Sequence, residues 1–495
     1  MILNYESALS ADLLSLPQKQ SKSVVMPIVH FGVGGFHRAH QAWALQNLKN
    51  NFREKYADWG ICGLCILPGD LPFVEALRVQ DCLYFVQSFA ADGSRHDVLV
   101  SAIKELLHPI KDYAAILDKI ASDDTKVISF TITEGGYNVD YDKHIFIWET
   151  PSIQSDLKRA DTPQTIFRIL AEGLRQRMEA GAQGIALMSC DNVQHNGDIL
   201  RFALLEFLKK FDRDLIIWVE EHVSFVKTMV DRITPVASTQ QKNEFAASYG
   251  LEDRCLVVCE DFFQWVIQDD PRLKGLPYEA MGATLVEDVA PYEKMKLRLL
   301  NGGHSLTGLL GELLGYDRIH TAIADPLIKA VYIHYCQEEV MDTLDEIQEV
   351  HYMEYINELV RRFSNPMIND STARIISGST DKLPKFVLPV ISDQLAAKSR
   401  KIKWGMLIIA AWYYYLATAF KRDEMAMVVD QNKETLLELF RTDGFDAGIF
   451  WDNGPGLEAV RSSDAAQSLF VAYVQGISNS DIQLRRLFIH QLLES

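Results

Sequence analysis

The chain has 495 residues, 48% hydrophobic and 23% charged, the composition of a soluble folded protein with length enough for two sizeable cores. A formal net charge of −18 would repel a polyphosphate backbone, and no Lys/Arg run offsets it, so nucleic acid is excluded as a partner. Seven cysteines, at 62, 65, 82, 190, 255, 259 and 336, are an odd number thinly spread, which points to reduced thiols and a cytoplasmic location rather than a disulfide framework.

The first 25 residues lack a basic start followed by an unbroken apolar segment, so no secretory signal is expected. From Pro27 the chain reads I-V-H-F-G-V-G-G-F-H-R-A-H-Q, a β-prone run that breaks into glycines and then into a helical pattern. In such a strand-turn-helix unit Gly32 permits the tight turn, Gly34 lets the backbone approach a pyrophosphate, and the helix start offers N–H groups to it. His37 stands where a third glycine is usual, and alone the segment reads equally well as an ordinary glycine turn.

Further runs strengthen the first. Trp59 to Leu67 is β-like and ends in Pro68-Gly69-Asp70, placing an acid where a dinucleotide fold bonds the adenosine ribose, though farther along the chain than the usual ~20 residues. Cys62 and Cys65 fall inside this apolar run, with no second pair at metal spacing, and are read as core. Val127 to Thr133 ends in Glu134-Gly135-Gly136-Tyr137-Asn138, and Gly184 to Ser189 ends in Cys190-Asp191-Asn192. Helical patterns at 114–121, 163–180 and 198–211 alternate with these runs and predict an α/β, Rossmann-like doubly wound sheet whose strand ends bind the ligand.

The loop P-R-L-K-G-L-P-Y at 271–278 precedes a change of pattern, which divides the chain into a dinucleotide-binding domain over 1–285 and a mostly α-helical domain over 286–495. Helices are predicted at Lys296 to Leu314, Ile328 to Met341 and Lys403 to Phe420. The longest apolar run, Trp404 to Phe420, is shorter than the ~20 residues of a membrane span and reads as a buried helix, so no membrane association is expected.

Within the second domain K-M-K-L-R-L-L-N-G-G-H, residues 294–304, sets Lys296, Asn301 and His304 against an apolar background. On an α-helix, with Lys296 at 0°, Asn301 falls near ~140° and His304 near ~80°, so a base, an amide and an imidazole share one arc. The plain alternative is a lysine reaching solvent beside two structural groups. Tyr292 and Lys296 also form Y-x-x-x-K, a pairing in which short-chain dehydrogenases use the tyrosine as acid/base. His and Cys are not clustered at zinc-ligand spacings, so no metal is expected.

Six ordered segments resemble the polyol-specific long-chain dehydrogenases, the group containing mannitol 2-dehydrogenase and fructuronate reductase: H-F-G-V-G-G-F-H-R-A-H-Q (30–41), T-I-T-E-G-G-Y-N (131–138), S-C-D-N-V-Q-H-N-G (189–197), T-M-V-D-R-I-T-P (228–235), K-L-R-L-L-N-G-G-H (296–304) and R-F-S-N-P (362–366). The resemblance implies a metal-independent, monomeric enzyme using NAD, with NADP possible, to interconvert a hexitol and a ketohexose, D-mannitol and D-fructose. It makes Lys296 the general acid/base, with Asn192 and Asn301 holding the reacting oxygen. His304, Asp231 and Arg374 fall on the substrate side, and Glu134 and Glu293 on a proton route. Gly32, Gly34, Phe36, His37, Arg38 and Asp70 are the expected cofactor contacts.

The sequence also departs from the pattern. Gly69 precedes Asp70 where some mannitol 2-dehydrogenases carry two adjacent acids, which weakens the exclusion of NADP. The local I-L-P-G-D resembles fructuronate reductases, Arg374 resembles the mannitol enzymes, and Gly378 stands where an aspartate is common. A hexuronate reductase, acting on fructuronate or tagaturonate, is therefore the alternative enzyme, and a non-catalytic nucleotide-binding sensor the alternative class.

Overall fold

The computed structural model describes residues 1–11, 13, 24–141, 143–442 and 444–495. Positions 12 and 14–23, within the stretch that carries no secretory pattern, lie outside the described residues. The chain divides into two compact units, Met1–Phe89 with Ser94–Ala290, and Ala90–Gly93 with Pro291–Ser495.

The first unit is built on six strands: β1 (Val25–Phe31), β2 (Trp59–Leu64), β3 (Ile103–Leu107), β4 (Val127–Phe130), β5 (Ile185–Ser189) and β6 (Val223–Val226). They lie in the order β6-β5-β4-β1-β2-β3 and every pairing is parallel. Going out from β1, one half of the chain runs to β2 and β3 and the other to β4, β5 and β6. The ends of β1 and β4 therefore form the point of reversal at which such sheets bind ligands.

Alternation along each strand gives the sheet two buried faces, which is why its strands read as nearly continuous apolar runs. Ile28, Ile61, Val127 and Ala186 face one core with Leu45 and Leu48 of α2 (Gln41–Asn51) and Val74 and Leu77 of α3 (Leu71–Val79). Val29, Cys62, Ile128 and Leu187 face the other, against α4 (Pro109–Ala121), α5 (Ile166–Glu179) and α6 (Asn196–Phe211). The short helix α1 (Gly35–Ala39) follows the glycine turn. All seven cysteines are buried and free, with Cys62 and Cys65 in the core as composition suggested.

Two runs are shorter than their apolar patterns. β2 stops at Leu64, and the following Pro68–Asp70 is a turn of 3-10 helix. β4 stops at Phe130, and Thr133, at φ 61°, opens a one-turn helix Thr133–Gly136. Three small sheets complete the unit among the described residues: Tyr84–Phe89 pairs with Arg95–Val100 and Val257–Glu260, Gln264–Gln268 lies between Thr228–Asp231 and Thr284–Val286, and Val139–Asp140 pairs with Ile145–Phe146.

The second unit is helical, with an isolated bridge between Arg318 and Ser371 as its extended pairing among the described residues. Helix α7 (Ala290–Met295) enters it and runs through Lys296–Asn301 into α8 (Gly302–Leu314), which is buried on nearly every face. Around α8 lie α9 (Pro326–His334), α10 (Tyr352–Phe363), α11 (Thr372–Ile376) and α12 (Lys403–Lys421), followed by α13 (Asp464–Ile477) and α14 (Ile482–Glu494). The long apolar run is buried in α12, Trp404 and Trp412 included, and among the described residues no helix is long and apolar enough to cross a membrane. The two helices predicted at 296–314 and 328–341 each contain a segment wound wider than an α-helix, at Lys296–Asn301 and Tyr335–Val340.

Candidate functional site

At the end of β1, Gly32 has φ 91° and a Cβ placed on it would lie 2.0 Å from the Thr131 carbonyl oxygen at the end of β4. Both the left-handed backbone and the close approach require glycine. Gly34 differs, because a Cβ there would meet nothing nearer than the Gly32 carbonyl at 4.0 Å. What its missing side chain spares is open space beside the turn, a cradle of the kind a pyrophosphate needs.

Buried neutral groups hold the turn from beneath. His30 places Nδ1 2.8 Å from Ser129 Oγ and Nε2 2.9 Å from Thr131 Oγ1, and the Thr131 hydroxyl donates to the Gly32 carbonyl at 2.6 Å. His37 stacks flat on His30, centroids 3.4 Å apart, and occupies the volume below the turn. Burial drives the His30 pKa down to about 3 and that of His37 well below its usual value, so both rings are uncharged. Neither ring nitrogen of His37 has a hydrogen-bond partner among the described residues. Phe36 is half-buried against the His40 ring. Arg38 is buried, bonds the Gly34 carbonyl at 3.2 Å and the Cys255 carbonyl, and lies over Phe73, so its guanidinium serves the frame of the turn.

Asp70 closes the Pro68–Asp70 turn after β2, where its Oδ2 accepts the Leu67 N–H at 3.1 Å. With Gly32 and Gly34 at β1 and an acid at β2, the residues present fit a dinucleotide.

Beyond β4 and β5, sequence reasoning missed Asp191. It is buried and accepts from the Ile132 and Thr133 N–H groups at 3.0 and 2.7 Å and from the Tyr137 hydroxyl at 2.6 Å, tying the T-E-G-G-Y turn to the S-C-D-N turn. Burial outweighs these donors and lifts its pKa to about 6. An acid between a strand end and a candidate Asn was the available signal. Its neighbours Asn192 and Glu134 are both exposed. Asp231 ends its strand, buried, and next to it Arg232 stacks on Trp43 at 4.0 Å and bonds the Ala39 carbonyl at 2.6 Å. The D-R-I-T-P motif is thereby fastened to α1.

In the second unit, Lys296–Asn301 is a π-turn in which the Gly302 N–H bonds the carbonyl of Leu297, five residues back. An α-helix would splay Lys296 and Asn301 by ~140°. The wider i→i+5 ring turns less per residue and so narrows that angle. Lys296 is buried, and Asn301 Oδ1 is buried with no hydrogen-bond partner among the described residues. Arg298 points elsewhere and anchors the turn on Asp393 at 2.7 Å and the Thr343 carbonyl at 3.2 Å, while Lys294 pairs with Asp345 at 3.2 Å.

The two glycines of N-G-G-H admit tyrosine rings. A Cβ on Gly302 would lie 3.2 Å from the Tyr335 hydroxyl and one on Gly303 2.3 Å from the Tyr332 ring. His304 is buried and stacks on Phe363 at 4.1 Å, and Phe363 meets Tyr332 edge-on at 5.7 Å, which ties the R-F-S-N-P motif to the lysine turn. Glu293 is half-buried in α7. Arg374, in α11, has an exposed side chain whose guanidinium takes both carboxylate oxygens of Asp370. Gly378, at φ 67°, begins the helix Ser379–Phe386 in a left-handed conformation, which suits glycine there. Among the described residues no group of three His, Cys, Asp or Glu side chains could hold a metal ion.

A doubly wound sheet with a glycine turn after its first strand and an acid after the second, followed by a helical unit with a buried lysine, fits a dinucleotide-dependent dehydrogenase class. Residues 26–278 match the mannitol dehydrogenase Rossmann domain and residues 288–443 the mannitol dehydrogenase C-terminal domain. The chain belongs to the mannitol dehydrogenase family of oxidoreductases. It is 37% identical over 450 residues to mannitol 2-dehydrogenase of Aspergillus fumigatus, covering 90% of this chain and 89% of that one. Among solved structures, the Pseudomonas fluorescens mannitol 2-dehydrogenase ternary complex with NAD and D-mannitol is 31% identical, with a TM-score of 0.82 over 100% of both chains. A substrate-free D-sorbitol dehydrogenase is 30% identical, with a TM-score of 0.84 over 98% of this chain and 99% of that one.

Proposed function

We propose that this protein is an NAD-dependent polyol dehydrogenase that interconverts a hexitol and a ketohexose, D-mannitol and D-fructose. The observation that supports the reading is a π-turn that holds a buried Lys296 together with Asn301, whose Oδ1 is buried without a hydrogen-bond partner among the described residues. Amide oxygen and nitrogen exchange places by a flip, so the same side chain can present either a donor or an acceptor.

When bound, the nicotinamide accepts or returns the hydride of the carbinol carbon. Lys296 takes the hydroxyl proton in the oxidative direction and returns it in reduction. A base needs its neutral form near neutral pH, and taking an ammonium out of water disfavours the charged form. Asn301 and Asn192 donate their amide N–H groups to the oxygen as it gains negative charge, an interaction commonly worth ~2.7–4 kcal/mol of barrier. His304, Asp231 and Arg374 bind the remaining hydroxyls, and Glu134 and Glu293 pass the proton toward water. Tyr292 is the poorer base, because burial and Glu349 hold its hydroxyl above the usual range.

The Arg374–Asp370 pair bears on the substrate. A hexuronate would bring a carboxylate that needs an uncompensated cation, whereas both oxygens of Asp370 already occupy this guanidinium, which suits a neutral polyol. The test is NADH oxidation with D-fructose and D-fructuronate side by side. Turnover with fructose is expected; preference for fructuronate would overturn the substrate, and NADH binding without turnover of either would favour a sensor.

A further inference from the structure

Resting on the cofactor reading above, we propose that His108 is a positioning residue for the adenosine half of the dinucleotide, acting through the turn that carries Asp70. The turn itself is thinly packed. Leu67 is 57% exposed, Pro68 and Gly69 are exposed, and a Cβ on Gly69 would meet nothing within 4 Å. Hydrogen bonds, rather than burial, therefore set where Asp70 sits.

Those bonds converge on Leu67. Its N–H donates to Asp70 Oδ2 at 3.1 Å, and its carbonyl accepts from the Asp70 N–H at 2.9 Å. From outside the turn His108, fully buried at the end of β3, places Nε2 3.0 Å from that same carbonyl. A carbonyl can only accept, so Nε2 carries the proton. The other nitrogen, Nδ1, accepts the Ile110 N–H at 3.3 Å and caps α4, which fits the same tautomer.

One imidazole thus links the ribose turn after β2 to the first turn of the helix after β3. Its own backbone is fixed as well, because the His108 N–H donates to Asp112 Oδ2 at 2.9 Å. Asp112 in turn binds Arg78 at 2.5 Å, and Arg78, in the helix that follows the Asp70 turn, bonds the Leu106 carbonyl at 2.6 Å. The turn is held at its start by His108 and behind its end by Arg78. With Oδ2 engaged by Leu67, the remaining Asp70 oxygen is directed to accept a ribose hydroxyl. That direction depends on the His108 bond to Leu67.

The test is His108→Asn. Asparagine is a strong helix N-cap and retains the cap on α4, but it is too short to reach Leu67. NADH affinity, read by quenching of nicotinamide fluorescence, is expected to weaken about tenfold or more, with the preference for NADH over NADPH falling in parallel. Turnover with reduced nicotinamide mononucleotide, which lacks the adenosine half, should stay within about twofold of wild type. His108→Gln, long enough to reach the carbonyl again, should recover most of the NADH affinity. Unchanged NADH affinity in His108→Asn, or equal losses with NADH and the mononucleotide, would overturn the clamp while leaving the cofactor reading intact. Failure of the wild-type protein to quench NADH would instead sink that reading, and the clamp with it.

Discussion

Replacing Gly303 by alanine should destabilise the helical unit and depress activity together. The added Cβ would lie 2.3 Å from Tyr332 Cε2 and 3.1 and 3.2 Å from two further ring atoms. Packed carbons prefer ~3.5–4.0 Å, so the ring has to retreat by about 1 Å or more. Tyr332 is fully buried, its hydroxyl donates to the Leu299 carbonyl in the π-turn at 3.4 Å, and its edge meets Phe363. Any retreat is felt either in the turn that carries Lys296 and Asn301 or in the ring on which His304 stacks.

Overpacking of a rigid core costs ~1–3 kcal/mol, and the extreme overlap here belongs at the top of that range. Alanine returns about 1 kcal/mol through its helix propensity. The net is a loss of about 2 kcal/mol, read as a lower urea midpoint in tryptophan fluorescence. Gly69→Ala is the matched control, since its Cβ meets nothing within 4 Å and the stability should hold within ~0.5 kcal/mol. Catalytic efficiency of Gly303→Ala should fall about tenfold or more through misplacement of the turn. A Gly303→Ala protein as stable as wild type, or more so, would mean that helix propensity outweighs the clash and that the tyrosine contact does not shape the turn.

Lys296→Ala should abolish turnover while Tyr292→Phe keeps most of it, and steady-state rates showing the reverse would transfer the proton-transfer role to the tyrosine. Gly69→Glu, which has room for its side chain, should weaken NADPH binding about tenfold through like-charge repulsion with little effect on NADH, as measured by fluorescence titration. Asp191→Asn should flatten the dependence of stability on pH. Burial raises the Asp191 pKa from 3.8 to about 6, so its contribution is complete below the lower value and is lost as pH rises through the upper one, a change of roughly 3 kcal/mol. Parallel wild-type and variant curves in urea denaturation between pH 4 and pH 8 would show that Asp191 titrates normally.

The four central strands were legible because they are buried on both faces and so read as short apolar runs, each closed by glycine or a polar turn; the edge strands β3 and β6 were not, since Lys104 and Glu105 in one and Ser224 and Phe225 in the other are only half-buried. The small companion sheets were not, since Tyr84–Phe89 and Arg95–Val100 differ in burial and Tyr84–Phe89 pairs with a strand as distant as Val257–Glu260. The π-turn was illegible for a different reason. Nothing in K-L-R-L-L-N distinguishes α from π winding locally, and the anchors of Arg298 come from Thr343 and Asp393. Arg374 illustrates the same point, because its partner Asp370 sits at helical spacing in the sequence, yet only the structure shows a bidentate pair.

The histidine in place of the third glycine is the departure that the structure explains best. A third glycine ordinarily lets the helix pack closely on the strand. Here that contact is made by the His37 ring lying on His30, so a side chain fills the space that glycine would clear. The exchange is tolerable only if the rings are neutral, since a charged pair 3.4 Å apart would repel itself in a buried site, and burial keeps both neutral. It also shapes how an anion is met. Both imidazoles are uncharged and Arg38 bonds the Gly34 and Cys255 carbonyls, so we expect a pyrophosphate at this turn to be met by backbone N–H groups rather than by side-chain cations of the segment. The same economy of charge fits a chain of net charge −18, in which affinity for an anionic cofactor has to come from shape and directed N–H groups instead of a basic surface.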